Sequence, residues 1–541
     1  MVWLLNNVYD VEHRAYFMSE KKMELTPLKI RSHGESSVMQ YDERYTPYIE
    51  MKGLLPFVQL VSRSTPNLNA AAVTALIDRW RPETHGFHLR TGEMTVTLQD
   101  VSMITALPIE GKPLCMSTDS EGWRHQMEAL IGMSPQEPEV EDGGKKDRVP
   151  AGATFTWIAA NFAHCPEDAD DEVIQRYARV YMWYVISRTI FADDTGKNAP
   201  WMWLKALTVL DNKFSWGSAA LAYLYRQLDD ACRRTTKDGG VGGCMVLLSW
   251  DVVSEVASEV NLLYKQYTNE MDSLTPEQVE WEPYGVGPNF GDAHTFELNP
   301  LCVQQRHLWL MRCPLICNWA VEFHLPHRVM RQFGYFQSHP PEWVDTDTQL
   351  HRLDRRRQRK IKDWKKHHKS YVITFEQSVQ ATSSIQRPQY RQHCPLAFSN
   401  YLRWFQESTR VKICPSAYEE DILEEPTEYD ALAQGGYNKL IREGYQTSFA
   451  PVLNFVAADD MTLKAFQRSA YMLKPRKEFK RYSPDDYAKG KNPVAGGSRL
   501  SRMRSMDDEV EDDDDDESDD PEQFVVARRK KLASKRGRGP K

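Results

Sequence analysis

No stretch of this 541-residue chain reaches the ~18 consecutive apolar residues that a membrane-spanning helix requires. The richest run, Val180 to Phe191, is too short and carries Arg188. The opening MVWLLNN has neither the basic n-region nor the apolar length of a secretory signal. Cysteine is sparse: nine, an odd number, spread from Cys115 to Cys414. That usage reads as free thiols in a reducing compartment, not a disulfide framework. Apolar residues make up 41% with Tyr counted, slightly below an ordinary globular tally. Yet 15 Trp, 24 Tyr and 20 Phe exclude wholesale disorder, so the shortfall belongs to particular segments. Missing too are any βαβ alternation and any fixed-period repeat. Gly239–Gly243 (GGVGG) lacks the Lys-Ser/Thr of a phosphate-binding P-loop and follows a charged helix end, so it reads as a helix–helix connection.

The net charge of −8 conceals two opposed blocks. Residues 507–520 hold 12 carboxylates and no base, so everything outside that run carries +4. Residues 528–541 add eight bases and no acid. At roughly 150 residues per domain, the length allows three or four domains, or one large domain with tails. The patterning favours the second arrangement. Residues 1–40 lack periodicity and read as a poorly ordered leader. Order begins near Tyr41, and after about residue 416 Pro, Gly, Asp and Lys dominate a disordered tail, with one short helix expected at Met461–Leu473.

Between these limits the expected fold is mainly α: a large multi-helix domain with a small β-hairpin near residues 87–97. Ala70 to Trp80 reads as a helix, with Val73, Leu76, Ile77 and Trp80 on one face and Pro82 ending it. FHLRTGEMTVTL gives two extended stretches around Thr91-Gly92. Thr97 then caps the helix LQDVSMITAL, with Asp100 three residues on in a variant capping box. Residues 132–153 form a solvated loop. Arg176 to Phe191 is apolar almost all round, the mark of a central buried helix. Ser215 to Cys232 places Leu221, Leu224, Tyr225, Leu228 and Cys232 on one face, with Gln227, Asp229 and Asp230 outside it. Cys244 to Tyr264, residues 300–375 and Phe398 to Phe405 are expected to add further helices.

The segment LIDRWRPETHGFHLRTGEMTVTLQDVSMITALPIEGKPL at 76–114 strongly resembles the plant mobile domain, the transposon-related module of MAINTENANCE OF MERISTEMS-like plant proteins. Its motif residues here are Trp80, Arg81, Pro82, Glu83, Thr84, His85, Phe87, His88, Gly92 and Glu93. FSWGSAALAYLYRQLDDACRR at 214–234 and VMRQFGYFQ at 329–337 agree with the same family, and the likeness covers about 41–416. It departs at SWDVVSEV (249–256) and at Phe375, where a Trp is expected. The resemblance implies a nuclear plant protein linked to transposon silencing, gene expression and meristem maintenance. It further implies nuclear protein partners, among them a PPP-type serine/threonine phosphatase. Such domains also carry an "aminotransferase-like" label, but no catalytic position transfers through the family, and no cofactor is expected. A pyridoxal enzyme would show an α/β pattern, a Schiff-base lysine and a glycine-rich phosphate cup, none of which stands out.

Four constellations invite chemistry. His85, His88, Glu83 and Glu93 are acid–base or ligand types. But His85-x-x-His88 is not a helical i, i+4 pair, and the preferred reading is a structural turn in which Arg81 and Glu83 satisfy buried polar groups. Cys313, Cys317, His324 and His327 are four weak candidate zinc ligands inside an apolar, helix-like run, where buried inert thiols are the plainer reading. His351 to Lys369 holds ten Arg/Lys and two Asp. Arg355, Arg356, Arg357, Arg359 and Lys360 there suit nonspecific phosphate contact, with Trp364 available to stack, or equally a solvated face. Finally Arg528, Arg529, Lys530, Lys531, Lys535 and Arg536 form a compact cluster of nuclear-import type. A non-enzymatic nuclear scaffold is the function these readings favour. An enzyme, or the relic of one, and a nonspecific nucleic-acid binder are the alternatives.

Overall fold

The computed structural model describes residues 4–30, 39–63, 68–136, 150–193, 196–208, 213–248, 260–284, 299–340, 350, 353, 360–384 and 390–413. The acidic and basic runs of the tail, Met461–Leu473, most of the 132–153 loop, and Arg355, Arg356, Arg357 and Arg359 lie outside the described residues. Among the described residues helices dominate, accompanied by four small sheets of two or three strands. Among the described residues no helix is long and apolar enough to cross a membrane.

The Asp171–Arg188 and Trp216–Ala231 helices run through the core. Leu221, Leu224, Tyr225, Leu228 and Cys232 are all buried, as their spacing requires. Asp229 is buried with them, although the apolar stripe places it outside: it follows Ala222 and Arg226 at the i+7 and i+3 positions of one face. The hairpin forms as the turn chemistry dictates. Strand β3 (Gly86–Leu89) pairs antiparallel with β4 (Gly92–Met94), and β2 (Trp80–Arg81) adds a third strand. The expected helix therefore stops early, at Ala70–Ile77, and Trp80 lies in a strand. The Leu98–Thr105 helix carries the capping box: the Thr97 side chain accepts from the Asp100 N–H, and the Asp100 carboxylate accepts from the Thr97 N–H.

Several expectations are corrected. Residues 313–324 are not helix-like: β8 (Cys313–Cys317) and β9 (Ala320–His324) form a hairpin turned by Asn318 at φ 51°. A strand buried on both faces is apolar throughout, so it shows no alternation to betray it. The described residues of 300–363 hold short helical turns in place of long helix, and Lys369–Ser384 is the long helix that follows. Cys244 to Tyr264 is not continuous; Met245–Leu248 is a 3-10 turn and Val260–Ser273 a separate helix, with 249–259 outside the described residues. The GGVGG segment is no exposed connection. β7 (Gly240–Val241) lies buried and pairs in parallel with β1 (Lys29–Ile30). Glycine is needed at 242 because a Cβ there would stand 2.2 Å from the Ala192 carbonyl oxygen.

The leader is corrected most clearly. Residues 4–30 carry two short helices, Asn7–Asp10 and Arg14–Ser19, and Leu4, Leu5, Tyr9, Ala15, Met18 and Leu28 are buried. Long-range hydrogen bonds fix the segment: Leu4 N–H to the Ser408 carbonyl at 2.7 Å and Arg14 N–H to the Cys232 carbonyl at 2.7 Å.

Candidate functional site

The motif turn Trp80–Glu93 lies inside the molecule. Arg81, Glu83, Thr84, His85, His88 and Glu93 are each no more than 4% exposed. Such groups persist in a core only with partners, because an unpaired buried charge is costly. Each has one, and apart from Thr84, which meets His88, the partners come from distant elements.

Trp80 gives its indole N–H to Asp229 Oδ1 at 2.7 Å, and its ring meets Phe87 and Tyr225 at centroid distances of 4.9 and 5.1 Å. His85 stands at φ 51°, in the left-handed region, which turns its ring toward β9. Nδ1 lies 3.0 Å from the Phe323 carbonyl and Nε2 lies 2.8 Å from Glu322 Oε2, while the Tyr225 ring stacks on it at 5.1 Å. Both ring nitrogens thus face oxygen atoms of β9. Arg226 meets the other oxygen of Glu322 through Nε at 2.6 Å and Nη2 at 2.5 Å.

His85, Asp229 and Glu322 bring ligand atoms within 4.8 Å of one another, the geometry of a potential cation site. The donors argue against one. Arg226 occupies Glu322 Oε1 and the Trp80 N–H occupies Asp229 Oδ1, so one oxygen of each carboxylate is already engaged by an N–H group. A guanidinium on the same carboxylate would also repel the ion. The trio is the inner part of a buried ion-pair network.

A second node joins the hairpin to the 329–337 block. Arg328 donates from Nε and Nη2 to the two oxygens of Glu93, both at 2.7 Å, the bidentate geometry that makes such pairs strong. Gly86 fits beside this pair because it has no side chain; a Cβ there would lie 2.9 Å from Glu93 Cγ. A third node is held by the N-terminal segment. The Asn6 N–H donates to Glu83 Oε1 at 2.9 Å, Asp10 Oδ1 faces Arg81 at 3.2 Å, and His13 Nε2 reaches the Trp80 carbonyl at 2.7 Å. Arg410 grips the other oxygen of Asp10 at 2.9 Å. His88 sits between the hydroxyls of Thr84 (2.9 Å) and Thr409 (2.6 Å). Burial, then the Arg81 charge, holds the pKa values of His13 and His88 well below the ordinary 6.5, so both are neutral at pH 7.

The sequence pointed to the motif itself. It missed Arg226, Asp229, Glu322 and Arg328, although charged residues inside apolar blocks are the available signal. It missed Asn6, Asp10 and His13 altogether.

The zinc candidates do not converge. Cys313 faces His324 across the hairpin, while Cys317 pairs with Ala320 at its far end. Four residues of extended chain separate the two cysteines by about 13 Å, whereas sulfurs sharing a zinc at ~2.3 Å must nearly touch. His324 is committed to the Met311 carbonyl at 2.7 Å. Burial pushes both thiols up, leaving them unreactive.

The basic run is described only from Lys360 onward, apart from Leu353. Lys360, Lys362, Lys365, Lys366 and Lys369 are exposed, with Lys362 paired to Asp119 at 3.1 Å. Trp364 is not available to stack on a ligand. It is fully buried, stacked on His368 at 5.5 Å and bonded to Thr118 at 2.9 Å, and so anchors the lysine ridge to the core.

A family model described as Plant mobile domain matches residues 56–250 and 240–406. The Arabidopsis thaliana protein named Serine/threonine-protein phosphatase 7 long form homolog is 30% identical over 388 residues, which is 64% of this chain and 27% of that protein. Protein MAIN-LIKE 1 of the same plant is 31% identical over 312 residues, 53% of this chain and 58% of its own length. Protein MAINTENANCE OF MERISTEMS is 31% identical over 306 residues, with shares of 51% and 59%. The chain therefore spans from about a quarter to three fifths of these relatives. No solved structure matches it.

Proposed function

The chain belongs to the plant mobile domain family, and from that premise we propose that it is a non-enzymatic nuclear scaffold that assists transcriptional regulation, transposon silencing or meristem maintenance through chromatin-associated partners. One observation carries the non-enzymatic part. The acid–base and ligand-type residues of the motif are buried and spent on each other, in pairs such as Arg328–Glu93 and Arg226–Glu322. A catalytic group must come within hydrogen-bond reach of a substrate, and these serve the fold instead. A PPP-type serine/threonine phosphatase is the partner class we propose, since a relative bears that name. Native mass spectrometry of the purified chain, together with capture of partners from nuclei, tests the reading. The polypeptide mass alone and co-purification of a phosphatase or chromatin proteins are expected. A stoichiometric metal or cofactor accompanied by turnover would overturn it.

Location has its own test. A fluorescent fusion of the full chain is expected in the nucleus, and alanine at Arg528, Arg529, Lys530, Lys531, Lys535 and Arg536 should weaken import. A fusion that stays cytoplasmic with the cluster intact would end the nuclear reading.

A second reading rests on the lysine ridge. Five exposed lysines within ten residues, on a surface pinned by Trp364, suit nonspecific contact with duplex phosphates. Each such contact contributes about 0.9 to the slope of log affinity against log salt. Glutamine at Lys360, Lys365, Lys366 and Lys369 is expected to flatten that slope and to weaken unrelated sequences alike. A slope identical to that of the parent chain would leave the ridge as a solvated face.

A further inference from the structure

The 329–337 block is only partly explained by packing. Phe333 and Gln337 are buried, and Arg328 just before it holds Glu93. Tyr335 and Phe336, in the middle of the block, are only partly buried. Gly334, at φ 74°, turns the chain out of the Met330–Phe333 helical turn and into a short extended ribbon with residues 391–393. Tyr335 pairs antiparallel with Gln392, the Phe336 N–H reaches the Arg391 carbonyl at 2.8 Å, and the His393 N–H reaches the Gly334 carbonyl at 3.1 Å. The ribbon is backbone-bonded, so its side chains are presented from a fixed frame.

Those side chains have a consistent chemistry. The rings of Tyr335 and Tyr390 lie side by side, 5.0 Å between centroids and 33° apart in plane, with Tyr390 38% exposed. The exposed Arg391 guanidinium covers Phe336 at 5.9 Å. Beyond the ribbon, exposed His339 meets the half-buried Trp404 at 4.9 Å. Residues 329–340 and 390–406 contain three Arg and two His, with Glu282 against Arg331 and Glu407 just beyond. Arg331 is paired with Glu282, so the exposed Arg391 and Arg403 carry the positive charge of this surface. Aromatic rings beside exposed arginine match unpaired bases on a phosphate backbone, because every base offers a π-face and every linkage a negative charge.

We infer that the 334–336 and 390–393 ribbon receives single-stranded nucleic acid, with Tyr335 and Tyr390 as the stacking surface and Arg391 as a phosphate contact. The lysine ridge is a separate element whose proposed phosphate contacts do not involve these rings, so the two interactions fail independently. Stacked duplex bases cannot reach the tyrosines, and preference for single strands is therefore the signature of the ribbon.

Fluorescence anisotropy on the full chain tests this with short labelled oligo-dT, oligo-U and a duplex of equal length. The double variant Tyr335→Ala, Tyr390→Ala is expected to weaken single-strand binding by about tenfold or more, from losing base–aromatic stacking. Duplex affinity should stay within about twofold, since phosphate contacts are retained. The dT and U arms show whether DNA or RNA is preferred. An unchanged single-strand affinity, or parallel losses for single strand and duplex, would overturn the proposal. Because the double variant could melt early, a second measurement uses the parent chain: photo-crosslinking with halogenated or thio-substituted uridine. Adducts on peptides containing Tyr335 or Tyr390 are expected. Adducts confined to other peptides, or a ribbon that takes up only peptide ligands, would equally overturn it.

Discussion

Replacing Trp80 by alanine is expected to destabilise the full chain by about 3–5 kcal/mol, the range for truncating a fully buried large aromatic. That is a large fraction of the roughly 5–15 kcal/mol that separates a folded domain from its unfolded chain. Two losses combine. The ring has no exposed surface and fills the space between Phe87 and Tyr225. Its N–H is also a donor to Asp229, so the variant leaves a carboxylate in the ion-pair network short of one partner. Trp80→Phe separates these terms. Most of the apolar volume stays and only the donor goes, so its cost should be about 1–3 kcal/mol, the penalty of a stranded buried acceptor. Urea midpoints read both values. A melting temperature unmoved by Trp80→Ala would show that the motif is not what holds this part of the fold together.

The features legible in the sequence are those settled by local physics. Thr97 and Asp100 announce a capping box within four residues, and Thr91-Gly92 a turn, and both stand in the structure. The core helices show because their faces repeat at the helical period. What stayed hidden depends on contacts far apart in the chain. The first thirty residues have no apolar rhythm, since polar anchors hold them. Asn6 reaches Glu83, His13 reaches the Trp80 carbonyl, and Arg14 pairs with Asp78 at 2.6 Å. No window of sequence contains both ends of such a bond. Trp364 departs from expectation for a related reason: within a basic run its ring looks like a surface feature, but Thr118 and His368 draw it into the core. The same holds for Asp229, which the helical stripe places outside and the Trp80 indole draws in. The motif's role as the junction of three polar nodes could be guessed in kind, but its partners could not be named.

That dependence on buried polar groups makes the fold sensitive to acid. Stability is expected to fall steeply between pH 6.5 and about pH 4, and buried histidines set the window. His13, His88 and His324 are fully buried, and desolvation lowers their pKa values, His324 to about 4. In the unfolded chain each returns to about 6.5. Above that value neither state binds the protons, and the histidines are silent. Below it the unfolded state gains protons that the native state refuses, so each histidine removes about 1.36 kcal/mol per pH unit. These three alone give a slope of about 4 kcal/mol per unit, and His327 and His368, which burial also lowers to about 4, steepen it. It eases near pH 4, where His324 takes its proton while folded. Asp100, whose carboxyl burial raises, works in the opposite direction and offsets part of the loss at the acid end. His324→Gln should cost some stability at pH 7, because the bond to the Met311 carbonyl changes, but it should flatten the slope by one histidine's share. The measurement is the urea midpoint of the full chain from pH 7.5 to 4.5. A midpoint that does not move between pH 7 and pH 5 would mean that these rings are already protonated in the fold, contrary to their burial. A slope that His324→Gln leaves intact would assign the acid sensitivity to other groups.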